Sequence, residues 1–211
     1  MRGICLMIGY GWGCLLTAAW VARRRSVSIF EAGSGNPGMA NVMALWGLGP
    51  GLATLAGDLA KVAAARLTAA MIFPGGGLTA TAWVGLGAVL GHDFPFWHRF
   101  RGGKGVAVTG AAVVLMRPGW GVLALGLAAL AVIVSHYLCV GAVVLPAAFV
   151  APAFCFGGTA IGGIAVAFTL LMLAKNGGGF RRMRRGEETP IDAASKLRAE
   201  LRRRASRRKT H

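Results

Sequence analysis

At 211 residues the chain makes about one domain, and 55% of it is apolar while only 14% is charged, against roughly one quarter charged in soluble domains. A mean hydropathy of +0.61 excludes a water-soluble globular enzyme, and the abundance of apolar residues excludes a disordered chain. The net charge of +16 is not a nucleic-acid signal, because nineteen of the 23 Lys and Arg fall in residues 23–40, 92–104 and 175–211, beside long apolar runs. Such clustering orients helices in a bilayer and favours anionic headgroups, so the expected partners are membrane lipids and no nucleic acid. Cysteines 5, 14, 139 and 155 and histidines 92, 98, 136 and 211 lack the spacing of a metal site or a disulfide framework.

In chain order, Gly3 to Ala22 is the first apolar span. The run Arg23, Arg24, Arg25 follows it instead of preceding it, so it reads as a retained helix with its N-terminus outside, not a signal peptide. Residues 26–40 are polar and turn-forming, a cytoplasmic loop. Asn41 to Phe73 is a second span, broken near its start at Gly49-Pro50-Gly51. Within it Asp58 and Lys61 share a helical face, as a functional pair or a structural one. Residues 77–91 make a third span and 92–104 a second cytoplasmic loop. Val106 to Met116 is a fourth, ended by Arg117-Pro118-Gly119, and Trp120 to Ser135, Tyr137 to Phe156 and Thr159 to Ala174 complete the series.

The predicted fold is all-α: a polytopic integral membrane protein of about seven transmembrane helices, N-terminus outside and C-terminus cytoplasmic. That arrangement puts the basic loops and the tail on one face. Residues 1–188 form the membrane unit and 189–211 a basic cytoplasmic tail. The lack of an internal repeat counts against a small transporter built from inverted halves.

Two of the loops carry the residues that a backbone needs to wrap an anion. Amides in glycine-rich turns converge on phosphate oxygens, and a helix starting just afterwards adds its positive end. Gly33-Ser34-Gly35-Asn36-Pro37-Gly38 precedes one predicted helix and Gly102-Gly103-Lys104-Gly105 another. On one membrane face, with Lys104 to supply charge, they suggest a phosphate site. Other readings stand beside this one. Ser34 could instead cap a helix, and His92 could tie its loop to a carbonyl. Arg182 and its neighbours could contact headgroups alone, and Phe94, Phe96 and Trp97 could anchor the loop at the interface.

These motifs resemble a known family. Gly33 to Asn41 (GSGNPGMAN), Asp58-x-x-Lys61, Gly91-His92-x-Phe94-Pro95 and Phe100-x-Gly-Gly-Lys-Gly-Val-Ala107 look like the signature of the bacterial acyl-phosphate:glycerol-3-phosphate acyltransferases, the PlsY family. Arg182-Met-x-x-Gly186-x-Glu188 is similar to its third motif, so the resemblance covers roughly residues 1–188. It implies an enzyme of phospholipid biosynthesis in the bacterial inner membrane, its site facing the cytoplasm. The reaction implied is acyl transfer from acyl phosphate to the 1-hydroxyl of glycerol 3-phosphate, giving lysophosphatidic acid and phosphate. No cofactor or metal and no acyl-enzyme is implied, a substrate phosphate oxygen serving as base. The oligomeric state is left open, a monomer being compatible.

The resemblance further implies site roles. Ser34, Asn36 and Lys104 would be catalytic, the first two at the acyl-phosphate head. Gly102, Gly103 and Gly105 would bind the phosphate of glycerol 3-phosphate with Lys104, while Gly33, Gly35, Gly38, Asn41, His92, Arg182 and Glu188 would complete the substrate sites. The chain departs from the pattern where the family has Arg at Phe30, Thr at Ala40, Arg at Ala44, His at Asn176 and Asn at Gly179. A member that binds a phosphate ligand without turnover is the alternative these departures raise, because each lost donor costs on the order of 3 kcal/mol.

Overall fold

The computed structural model describes residues 1–188 and Pro190; the expected tail at 189–211 otherwise lies outside the described residues. Regular structure is entirely helical among the described residues. The first apolar run is not one straight helix. It breaks between α1 (Arg2–Gly13) and α2 (Thr17–Arg23). Carbonyls freed at the break find donors from elsewhere in the chain: Trp97 Nε1 donates to the Cys14 carbonyl at 3.0 Å and Lys61 Nζ to the Leu15 carbonyl at 3.0 Å. Side chains thus replace the missing helical amides, as an interrupted helix in an apolar setting requires.

The second run is also divided, at Gly47 (φ +90°) and not at residues 49–51, into α3 (Met39–Trp46) and α4 (Leu48–Ile72). Pro50 sits in the first turn of α4, where its missing amide has no intrahelical bond to lose. Helices α5 (Gly77–Asp93), α6 (Val106–Met116) and α7 (Pro118–Ser135) follow, with Pro118 opening α7. The sixth and seventh expected spans are joined with no loop between them. They form α8 (Leu138–Arg184), interrupted by one non-helical glycine, Gly158 (φ +63°, ψ −163°). Its second half continues past the expected end at Ala174, so Lys175 to Arg184 are helical.

Packing follows from small residues. Gly9 and Gly13 of α1 and Gly87 and Gly91 of α5 each face the other helix so closely that a Cβ would strike the carbonyls of Val84, Ala88, Leu6 and Tyr10 respectively. The four-residue spacing on each helix is the small-xxx-small device by which membrane helices bring their backbones together. A second core joins Phe149, Phe168 and Met172 of α8 to Val89 of α5 and Val108 of α6. Outside these contacts the chain shows apolar residues: α7 buries Gly121, Ala124 and Ala128, while Val122, Ile133 and Val134 are 62%, 67% and 73% exposed. Small residues inward and large apolar ones outward is the arrangement of a helix surrounded by hydrocarbon. By length and composition Arg2–Arg23, Pro118–Ser135 and Leu138–Arg184 are apolar enough to cross a membrane.

Candidate functional site

The first glycine-rich loop is shaped from within. Gly33 and Gly35 take positive φ of +58° and +69°, which glycine adopts without steric cost. Asn41, in the first turn of α3, clamps the loop from both ends of its amide. Its Oδ1 accepts the Ser34 N–H at 2.9 Å, and its Nδ2 donates to the Ala32 carbonyl at 3.0 Å. The N-cap of α3 is Gly38, with no side-chain cap bond, so Ser34 does not cap the helix. Its residue is exposed and its hydroxyl has no hydrogen bond among the described residues.

The second loop folds back onto the end of α5. The Gly103 N–H donates to the His92 carbonyl at 3.0 Å. Each glycine is present for want of room: a Cβ on Gly102 would strike the His92 carbonyl, one on Gly103 the His92 imidazole, and one on Gly105 the Asp93 Oδ1 at 2.7 Å. Between them Lys104 is partly exposed, and its ammonium has no partner among the described residues. His92 itself is buried beneath the loop. Its Nδ1 lies 2.7 Å from Lys61 Nζ, which also donates to Asp58 Oδ1 at 2.9 Å. The Asp58–Lys61 pair is therefore built into the floor of the site, and the His92 imidazole meets an ammonium, not a carbonyl.

Aromatic side chains fasten this loop to its neighbours. Tyr10 Oη donates to the Phe94 carbonyl at 2.8 Å, and the Tyr10 and Phe96 rings stack at 6.4 Å. The two glycine loops also touch: the Phe30 and His98 rings are 5.1 Å apart, and the Arg101 guanidinium carbon lies 6.0 Å from the centre of the Phe30 ring. Phe30 stands where the resemblance leads one to expect Arg, and here the nearby cation comes from the other loop. Partial burial holds the His98 imidazole below its ordinary pKa.

The end of α8 closes the third side. Lys175 Nζ donates to the Asp93 carbonyl at 2.9 Å and lies 4.6 Å from the centre of the Phe94 ring. Asn176 is buried, its Nδ2 turned back to the Met172 carbonyl at 3.0 Å. Arg182 Nε and Glu188 Oε2 form an ion pair at 2.5 Å. Gly179 lies close to Glu188, its missing Cβ 3.6 Å from Oε1.

Sequence reasoning passed over two residues here. Lys175 counted only as tail charge, and Asp93 was the unassigned position of Gly-His-x-Phe-Pro. A carboxylate directly after the motif histidine, at the end of an apolar helix, was the available signal. The assembled groups can hold an anion between backbone amides and the ammonium groups of Lys104 and Lys175. Among the described residues no group of three or more His, Cys, Asp or Glu is placed to hold a metal.

The same chain has relatives. A family described as glycerol-3-phosphate acyltransferase matches residues 3–186. A protein of Lactobacillus johnsonii named glycerol-3-phosphate acyltransferase 1 is 43% identical over 64% of this chain and 66% of its own length. One from Bradyrhizobium sp., named glycerol-3-phosphate acyltransferase, is 36% identical over 90% of this chain and 95% of its own. Two crystal structures of PlsY, an integral membrane glycerol 3-phosphate acyltransferase, share the fold at 22% identity. The glycerol 3-phosphate form gives a TM-score of 0.82 over 93% of this chain and 98% of that one, and the lysophosphatidic acid form 0.78 over 90% and 95%.

Proposed function

The chain belongs to the glycerol-3-phosphate acyltransferase family, and on that premise we propose that it acylates glycerol 3-phosphate at its 1-hydroxyl, using acyl phosphate as donor. The observation that carries this is the meeting of the two glycine-rich loops through Phe30 and His98, with Lys104 and Lys175 beside them. A reaction between two phosphate-bearing substrates needs two anion cradles side by side.

Lys104 and the backbone at Gly102 and Gly105 hold the phosphate of glycerol 3-phosphate, while the Gly103 N–H braces the loop on the His92 carbonyl. Ser34 and Asn36 hold the acyl-phosphate head on the loop that Gly33, Gly35 and Gly38 shape, the Gly35 and Gly38 amides bracing it on the Ala32 and Asn36 carbonyls. Asn41 and His92 set the shape of these loops from beneath, and the Arg182–Glu188 pair borders the site at the end of α8. The hydroxyl oxygen at C1 attacks the acyl carbonyl carbon, the new ester C–O bond forms, and the bond from that carbon to the phosphate oxygen breaks. The hydroxyl proton passes to a phosphate oxygen, so inorganic phosphate and lysophosphatidic acid leave. An acyl phosphate already carries a good leaving group, and positioning with charge neutralisation supplies most of the acceleration.

In the membrane the helices make seven passes, α1 with α2, α3 with α4, α5, α6, α7 and the two halves of α8, with the N-terminus outside. The positive-inside distribution supports this orientation and a site on the cytoplasmic face of a bacterial plasma membrane, with Arg23 to Arg25 and the tail against anionic headgroups. The protein purified in lipid should convert acyl phosphate and glycerol 3-phosphate to lysophosphatidic acid. No product above empty membranes, at equal expression and with the protein folded, rejects the reaction.

A further inference from the structure

Among the described residues four buried side-chain polar atoms have no hydrogen-bond partner: Trp83 Nε1, Thr109 Oγ1 and both carboxyl oxygens of Asp93. Three of these four lie at the second glycine loop. Asp93 Oδ1 faces the spot where a Gly105 Cβ would be, and Thr109 follows Gly105 by one turn of α6, its N–H donating to the Gly105 carbonyl at 2.7 Å. Orphaned buried polar groups are uncommon in folded proteins, and each calls for a reason. An unpartnered carboxyl at 0% exposure destabilises the fold that contains it. The lysines nearby do not relieve it, since Lys175 bonds the Asp93 main-chain carbonyl and Lys61 bonds Asp58, His92 and Leu15.

Asp93 is also poorly suited to bind a phosphate, because a carboxylate repels a dianion and a carboxyl group offers it a single proton at most. A hydroxyl fits it, since a hydroxyl both donates and accepts. Resting on the acyl-transfer reading above, we propose that Asp93 receives the C2 hydroxyl of glycerol 3-phosphate and is the residue that makes the site specific for a polyol phosphate. The choice of hydroxyl follows from position. Asp93 lies against the loop assigned to the phosphate, and C2 is nearer the phosphate than C1 is. Asp93 Oδ1 and the Met172 methyl lie 2.7 and 3.1 Å from where a Gly105 Cβ would stand, so the carboxyl borders the phosphate loop at a residue that puts no side chain in the way. Thr109 Oγ1, buried and unpartnered one turn of α6 beyond Gly105, is a second polar group without a protein partner near this loop.

The probe is 1,3-propanediol monophosphate, which keeps the phosphate and the attacking primary hydroxyl and lacks only the one at C2. A site built to bond a hydroxyl discriminates strongly against the analogue without it. The wild-type kcat/KM should favour glycerol 3-phosphate over the analogue by at least about 100-fold. Asp93→Leu and Asp93→Ala should each cut that ratio at least about tenfold, leave the KM for acyl phosphate unchanged and leave the melting temperature equal or higher. Asp93→Asn, which keeps an acceptor and a donor, should retain most of the preference. A merely structural carboxyl predicts the reverse, a lower melting temperature with an unaltered ratio. Turnover of glycerol 3-phosphate with a ratio unchanged in the Leu and Ala variants overturns the role of Asp93 alone. No turnover by the wild-type protein overturns the acyl-transfer reading and this inference with it.

Discussion

Lys61 Nζ stands 2.7 Å from Nδ1 of His92, and the opposite edge of that imidazole, at Nε2, lies against Gly103. An ammonium can only donate, so Nδ1 accepts and the ring proton sits on Nε2, directed at the glycine loop. One charged residue of α4 thereby fixes the tautomer and the tilt of a ring belonging to α5, and the ring in turn supports the phosphate cradle.

Removing Lys61 should therefore do two kinds of damage. Lys61→Met leaves Asp58 buried without its counter-charge and the Leu15 carbonyl without a donor; breaking one partner of a buried pair costs about 3–5 kcal/mol. The double variant Asp58→Asn, Lys61→Met should recover a good part of that stability, because it buries no uncompensated charge. Melting curves in detergent for the two singles and the double form the cycle. A Lys61→Met protein as stable as wild type would remove the pair from the structural floor of the site.

Gly103→Ala and Gly102→Ala test the cradle itself. In each case the added methyl meets atoms it cannot displace cheaply, the His92 ring in one and the His92 carbonyl in the other. Overpacking of this kind costs about 1–3 kcal/mol, and here the loop yields before the helix, since α5 is packed against α1. The expected outcome is a raised KM for glycerol 3-phosphate with little change in the KM for acyl phosphate. Equal rises in both would mean that the loops do not divide the substrates.

Lys104→Ala should weaken glycerol 3-phosphate in the same selective way and more strongly. A charge-assisted hydrogen bond contributes about 2 kcal/mol, or about 30-fold in KM. Its ammonium has no protein partner among the described residues, so its loss leaves nothing else unpaired, and the melting temperature should stay within about 2 °C of wild type. Lys175→Ala should give a smaller rise in KM together with some loss of stability, since Lys175 holds the Asp93 carbonyl. Kinetics that leave Lys104→Ala unaltered would remove it from the phosphate site.

How much of this was legible beforehand differs by feature. The helices α5 and α6 could be placed from composition because their apolar runs end beside Pro and Gly, and α7 because it opens at Pro118-Gly119 and stops at the polar pair Ser135-His136. The breaks inside the first and second runs could not be placed, because what permits them is tertiary: the Cys14 and Leu15 carbonyls are satisfied by Trp97 and Lys61, distant in sequence. The continuity of α8 through Gly158 was not legible, since one glycine with positive φ looks in sequence like any other among 33. The two glycine loops were legible because they need no partner to be recognised, only the residue types that wrap an anion. Asp93 was not, because what sets it apart is a lack of partners that only packing reveals.

Asn41 offers the sharpest test of the first loop, because its two hydrogen bonds run in opposite senses. Oδ1 accepts from Ser34 and Nδ2 donates to Ala32, so Asn41→Asp keeps the first bond and turns the second into an oxygen facing an oxygen. Asn41→Ala loses both. If the loop holds the acyl-phosphate head, both variants should raise the KM for acyl phosphate by about 5- to 30-fold, the range that about 1–2 kcal/mol gives. The KM for glycerol 3-phosphate should move by less than about twofold, since the other loop is braced from α5 and not from α3. The aspartate should be at least as harmful as the alanine, because it leaves the Ala32 carbonyl opposite a like partial charge instead of merely unbonded. An aspartate variant indistinguishable from wild type in acyl phosphate kinetics would show that Asn41 does not shape the loop through its amide, and Ser34 would then lose its support as a donor to the acyl-phosphate head.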